Sequence, residues 1–152
     1  MSDVFDLNRF MEAQDVNYQV ALNEILNGKK LTHWIWYVFP QGPFGGSAAS
    51  IRYSLKSVSE AIAYIQTPTL RNRLLEITTA VSEQLERGLH PKELMGSSID
   101  CQKLASSMTL FRYTAENQGD QDLINAISQT LDLIAACGWG ECSKTMNWIR
   151  NQ

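Results

Sequence analysis

The stretch L-T-H-W-I-W-Y-V-F-P-Q-G-P-F-G-G-S, residues 31–47, decides how the rest of the chain is read. His33, Trp34, Trp36, Tyr37 and Phe39 stand within seven positions, Pro40 stops the run, and Gly42, Gly45 and Gly46 follow. No other segment holds so much apolar bulk beside so many residues with special backbone preferences. The run is rich in strand-formers, so local propensity alone permits a strand. No second strand is evident to pair with it, and the reading adopted is a short buried helix, opened by Thr32 and ended before Pro40. Residues 41–46 then form a loop, in which the glycines supply permissive dihedrals and Pro43 fixes one.

Helical signals surround this stretch on both sides. Upstream, Asp6 reads as an N-cap, and Leu7, Met11, Tyr18, Ala21 and Ile25 recur at helical spacing with polar Gln14 in the same stripe. Gly28 suits the stop, and residues 15–17 are the place for a bend or a division. Downstream, Ser47 caps a helical turn through Tyr53, and Ser57 with Glu60 has the form of a capping box ahead of Val58, Ala61, Ile62 and Ile65. Thr67-Pro68 opens the clearest amphipathic helix, with Leu70, Leu74, Ile77, Val81 and Leu85 inward and Gly88 at its end. His90-Pro91 starts a short turn closed by Gly96. A helix from Asp100 carries Cys101, Leu104, Met108 and Phe111 inward, with a loop at 117–119. Asp120 caps a helix burying Leu123, Ile127, Leu131 and Ile134, and a last short helix spans 143–150. The expectation is one all-α domain over residues 1–152, of about seven helices, with no heptad run long enough for a coiled coil.

Composition narrows the function classes. At 152 residues the chain suits a single core, and 44% hydrophobic with 19% charged residues is a globular balance rather than a disordered one. The net charge of -3, without a block of like charges, lacks the electrostatic footprint of a nucleic-acid binder, so no nucleic-acid partner is expected. Lys29-Lys30 and Arg71 with Arg73 are the nearest approach to a basic patch. The longest apolar run, 34–39, is far short of the ~20 residues of a spanning helix, so no membrane partner is expected. The N-terminus M-S-D-V-F-D-L-N-R-F has no apolar core and does not read as a signal peptide, so Cys101, Cys137 and Cys142 are expected as reduced thiols in a cytoplasmic protein. Cys137 and Cys142 do not have C-x-x-C spacing, and only two histidines exist, so neither a metal nor another cofactor is expected.

Chemistry has four places to reside, each with a plainer reading beside it. His33 can serve as a general base, or as a proton donor to a ligand stacked on an indole; it can equally be a core histidine, and no acid adjoins it in sequence. Trp34 and Trp36, with Tyr37 and Phe39, can form a stacking platform or simply build the interior. The loop from Gln41 to Ser47 has the idea of an anion cradle but matches neither the P-loop spacing nor G-x-G-x-x-G, and it also reads as a tight turn. Asp100, Lys103 and Ser107 stand at i, i+3 and i+7 with Ser106 and Thr109 flanking, which lines them on one face. A lysine near a serine can be a base and nucleophile, although the S-x-x-K order is absent. The plainer reading is an Asp100–Lys103 surface pair with serines bonding the preceding turn. For ligand contact, several hydroxyls around one lysine suit a phosphate or carboxylate. His90 reads as a helix boundary, Cys101 as a small core residue, and Trp139, between two glycines, as folded back or meeting a partner.

Three segments together resemble a known family: T-H-W-I-W-Y-V-F-P-Q with the following glycines and Ser47; A-I-A-Y-I-Q-T-P-T-L-R-N-R-L at 61–74; and D-C-Q-K-L-A-S-S-M-T-L-F at 100–111. The set is similar to family 1810 of the domains of unknown function, small bacterial and fungal proteins sometimes mislabelled calpastatin. The likeness runs over roughly residues 6–145. It implies an all-α fold and attaches no activity. The sequence departs from the family pattern at Thr67, where histidine is expected, at Arg71, where glycine is expected, and at Cys142, where an acid is expected.

These readings converge on a small polar or anionic, nucleotide-like ligand in a cleft between residues 33–47 and the helix 100–111. Trp34 or Trp36 would stack, Ser47, Gln41 and loop amides would hold an anion, and Lys103 and Ser107 would contribute from the helix. An enzymatic version is a hydrolase or N-glycosidase acting on a nucleotide-derived metabolite, with His33, Asp100 or Lys103 as catalytic groups. The rival is a protein-interaction module without a small-molecule site. Exposure of Trp34 and Trp36 and the direction of Lys103 separate the two. Oligomeric state is not legible.

Overall fold

The computed structural model describes residues 4–152, which form nine helices with no strand among them. They are α1 (Asn8–Leu26), α2 (Ile35–Val38), α3 (Ala48–Tyr53), α4 (Val58–Gln66), α5 (Pro68–Glu86), α6 (Pro91–Met95), α7 (Ser98–Gln118), α8 (Gln121–Ala135) and α9 (Ser143–Arg150). The all-α expectation holds, and the number of about seven is corrected to nine. The short pieces α2, α3 and α6, of one or two turns, are separate elements because each has its own start and stop. Ser47 Oγ accepts from Ser50 N at the head of α3, and His90 Nδ1 accepts from Lys92 N at the head of α6. Gly96, at φ 89°, ends α6 in the left-handed region that favours glycine. None of the helices is long and apolar enough to cross a membrane.

α8 packs against α5 and α7, α1 against α5, and α4 against α7. Their inward faces merge into one apolar cluster that includes Phe10, Ile25, Leu74, Leu104, Phe111 and Ile127. Each such fully buried side chain contributes about 1.5–3 kcal/mol relative to exposure. The aromatic segment enters this cluster through Trp34, Tyr37, Val38 and Phe39.

Polar groups on α1 fix where that segment lies. Glu24 is buried, and its carboxylate accepts four hydrogen bonds from the turn that precedes α2. Oε1 receives Leu31 N (2.7 Å), Thr32 N (3.0 Å) and Trp34 Nε1 (2.9 Å), and Oε2 receives Thr32 Oγ1 (2.7 Å). Gln14 Nε2 donates to Tyr37 O at 2.8 Å and Tyr64 Oη at 2.9 Å, and Asn17 Nδ2 donates to Tyr37 Oη at 2.6 Å. Near the start of α1, buried Arg9 uses all its guanidinium donors. Nε bonds Arg52 O, Nη1 bonds Phe5 O and Asp6 O, and Nη2 bonds Ser54 O and the Glu60 carboxylate. Glu60 N–H bonds Ser57 Oγ, so the Ser57 half of the expected capping box is present, while the Glu60 carboxylate accepts from Lys56 N, one residue before the cap, instead of from Ser57 N. A charge pair this buried holds only because every remaining donor and acceptor is satisfied.

Several local expectations are corrected. Asp6 does not cap α1: the cap position is Leu7, and Asp6 sits at φ 51° in the turn before it, where its carbonyl accepts from Arg9. Thr32 does not cap α2, because its hydroxyl is spent on Glu24 and Trp34 holds the cap position. α1 is continuous through residues 15–17. α7 begins at Ser98 under a Ser97 cap rather than at Asp100, and it runs through Gln118 to Gly119. At the positions of family departure, Arg71 forms a two-point pair with Asp120, Thr67 Oγ1 bonds Ala63 O, and the Cys142 N–H bonds Thr109 Oγ1.

Burial alone would raise the Glu24 pKa, but its hydrogen bonds outweigh burial and lower it from the ordinary 4.5 to about 2. A carboxyl depressed in the folded state contributes stability that is full above the unfolded value and is lost as pH falls through the folded one. Wild-type stability should therefore decline between pH 4.5 and about 2. In Glu24→Gln that part of the acid dependence should vanish, and denaturant unfolding at pH 7 should show a loss of about 2 kcal/mol or more, since an amide cannot accept from all four donors.

Candidate ligand-binding site

Trp34 and Trp36 lie two positions apart on one helical turn, about 200° around the axis, so they point to opposite sides. Trp34 goes inward, 1% exposed and bonded to Glu24. Its expected role as a stacking surface is corrected: it belongs to the core. Trp36 is only partly buried and faces the α7 side, where Lys103 Nζ stands 5.0 Å from its ring centroid. That cation–π contact contributes about 0.5–1 kcal/mol.

Two cavities meet at this contact. The first, about 180 Å³, is lined by Trp36, Gln41, Phe44, Ser50, Tyr53 and Lys103, with the backbone of Gly42 and Gly45 and the side of Ser54. The second, about 350 Å³, is lined by apolar Leu31, Ile35, Met95 and Ile99, by His33 and Trp36, and by Lys30, Asp100 and Lys103 along one edge. The glycine loop forms the wall of the first cavity. A side chain at Gly42 would press on Phe44 and Trp148, and one at Gly45 would collide with Ser50. α9 backs the loop, with Trp148 edge-on to Phe44 at 5.8 Å and Lys144 Nζ 5.4 Å from the Phe44 ring.

The face expected on α7 is rearranged. Asp100 pairs with Lys30 Nζ at 2.8 Å, not with Lys103. Lys103 is left with its Trp36 contact and has no hydrogen bond or ion pair to any described residue. Ser107 is fully buried, its hydroxyl without a partner, and no hydrogen bond joins it to Lys103. Asp100, Lys103 and Ser107 therefore do not share one open face: the first is neutralised, the second faces the cavities, and the third lies in the interior. Ser106 bonds Thr145 Oγ1, and Thr109 bonds Ala105 O, so the flanking hydroxyls have structural partners.

The loop residues divide in the same way. Ser47 is exposed and occupied in capping: its Oγ accepts from Ser50 N and donates to Ser50 Oγ. Ser50 is the hydroxyl that lines the cavity, and its own proton is committed to no described residue. The six-residue α3 is too short to make Ser47 an anion site, and Ser50, not Ser47, is the serine of this turn that lines the cavity. Gln41 lines the cavity, and its carbonyl accepts from Leu55 N at 2.8 Å. His33 is exposed without a hydrogen bond, its ring 6.5 Å from that of Trp36. Cys101 is core, its thiol pushed up to about 11 by burial and then by the Asp100 charge. Trp139 folds back edge-on to His90 at 5.9 Å. No cluster of His, Cys, Asp or Glu that could hold a metal ion occurs among the described residues.

Sequence reasoning missed Phe44, Ser50 and Tyr53 as lining residues, and Lys30 as the partner of Asp100. Ser50 and Tyr53 are three apart on the turn that Ser47 opens, so their shared face was available as a signal. Nothing local pointed to Lys30, whose partner lies seventy positions away.

Trp36 Nε1 is buried without an acceptor, whereas Trp34 Nε1 is bonded. Trp34→Phe should lower stability by about 2 kcal/mol, through the lost bond to a charged group and the void left behind. Trp36→Phe should change it by less than about 1 kcal/mol, because it removes an unpaired donor with its ring. Urea unfolding of the two variants makes the comparison.

The fold compares closely with a solved one. The crystal structure of the conserved hypothetical protein Rv1873 from Mycobacterium tuberculosis superposes with a TM-score of 0.81 at 37% sequence identity, over 97% of this chain and 99% of that one. No curated protein matches the sequence. A family model described as a protein of unknown function, DUF1810, matches residues 4–132. With that match and the aromatic segment, glycine loop and α7 all in place, the chain belongs to the DUF1810 family.

Proposed function

We propose that this protein binds a small anionic ligand, a phosphate ester or a carboxylate, in the cavity between the glycine loop and α7. The observation that carries the reading is Lys103. It lines a cavity that no carboxylate lines, and it has no counter-ion among the described residues. A partly buried ammonium without an anion gains most from one that arrives in solution. Gln41 and Ser50 add neutral donors around the same space.

The exposure test favours this reading over an interaction module. Trp34 is buried, as that rival requires, but Trp36 lines both cavities and Lys103 lies over its ring. The hydrolytic version gains no comparable support. Asp100 is held by Lys30, and His33 has no group to orient it as a base.

Inorganic phosphate and ribose 5-phosphate are suitable probes. A ligand at 100 times its Kd stabilises the native state by about 2.7 kcal/mol, which raises Tm by roughly 8 °C in a domain of this size. Differential scanning fluorimetry should show a rise of that order for the wild type, shrinking as salt is added. Lys103→Ala should melt within about 3 °C of the wild type without ligand, since it loses only the ring contact, and should show no rise with ligand. A wild type unmoved by both anions would remove the proposal.

A further inference from the structure

We infer that the ligand is bipartite, with its anionic head in the first cavity and a flat heteroaromatic ring in the second, stacked on Trp36 in the place that Lys103 Nζ occupies in the free protein. The inference rests on the anion-binding reading and adds the chemistry of the rest of the ligand.

Size is the first argument. A cavity of about 180 Å³ is smaller than the roughly 300–1,000 Å³ of ordinary small-molecule sites, so it suits a head group rather than a whole ligand. The adjoining cavity of about 350 Å³ brings the pair into that range. Trp36 and Lys103 are the two side chains that line both, so they form the partition between them. Lys103 has no polar bond to hold it in that position, and its long side chain can follow an anion into the first cavity. The ring face it leaves becomes part of the second cavity.

The lining of the second cavity is the next argument. Leu31, Ile35, Met95 and Ile99 make it apolar, with Leu31 69% and Ile99 63% exposed at its mouth. Its Lys30–Asp100 pair is mutually neutralised, so it offers an anion little. A charged head therefore belongs in the first cavity and an apolar, flat body in the second. Two aromatic rings bound that space. His33 and Trp36 are 6.5 Å apart at a tilt of 40°, close to twice the about 3.5 Å contact distance of one stacked ring. His33 is exposed and unbonded, so it can turn to close on the opposite face of an inserted ring. An alkyl chain would use the apolar walls without needing either ring; a heteroaromatic ring uses all of them.

Isothermal titration with ribose 5-phosphate, adenosine 5′-monophosphate and adenosine separates the parts. In the wild type, adenosine 5′-monophosphate should bind at least tenfold more tightly than ribose 5-phosphate, and adenosine more weakly than either. It should also quench tryptophan fluorescence, a quench that Trp36→Phe removes. His33→Ala and Ile99→Ser, both at exposed positions, should reduce the preference for the nucleotide to threefold or less while leaving ribose 5-phosphate affinity unchanged. If ribose 5-phosphate binds and the nucleotide binds no more tightly, the bipartite ligand is overturned and the anion site stands. A nucleotide preference untouched by both variants would overturn it too, since the ring would lie elsewhere. If neither phosphate binds, both readings fall together.

Discussion

The Glu24 carboxylate is the constraint on which the aromatic segment depends. A buried anion has to be solvated by something, and here the turn at residues 31–34 supplies two backbone N–H groups, a hydroxyl and an indole. The same bonds that make the carboxylate tolerable force that turn into one shape. Trp34 is thereby committed to the interior, and Trp36, on the other side of the helical turn, to the half-buried cavity wall. The division between core and cavity lining along this segment is set by one acid in the preceding helix.

A second selection operates between lysines. Asp100 has two candidate partners: Lys103 in the next turn of its own helix, and Lys30 from the segment between α1 and α2. The pair formed is with Lys30, 6% exposed, against the α7 start. A nearly buried ammonium needs its counter-ion more than a partly exposed one does. The uncompensated charge then falls on Lys103, beside the indole and the glycine loop. The charge on the first cavity thus follows from a structural ion pair outside it.

What could be read in the sequence was local. Ser47, Ser57, Pro68 and Gly88 mark helix ends because capping depends on immediate neighbours. The amphipathic stripe of α5 emerged because its period is regular. Trp36, Gln41 and Lys103, singled out from the sequence, line one cavity between the glycine loop and α7. What escaped reading was non-local. Glu24 stands three residues after Ala21 in the inward stripe of α1, where an acid signals a buried acceptor only if its donors are known. Arg9 satisfies five donors, three of them on Arg52, Ser54 and Glu60, more than forty positions away. Ser107 shares a helix face with Lys103 by periodicity, but a neighbouring helix decides which part of that face meets water.

α1 carries Arg9, Gln14, Asn17 and Glu24 on one unbroken helix of 19 residues. Through them it grips the segment at 52–60, the aromatic helix and the turn before it. A single rigid rod therefore sets the spacing of elements that otherwise make few bonds to one another. The aromatic helix and the turn before it cannot fray alone, as surface loops do, without breaking their bonds to α1. That turn and the core beneath it then form one cooperative unit, in which the amides of residues 31–34 are protected to the same degree as the packing of Phe10 and Ile25.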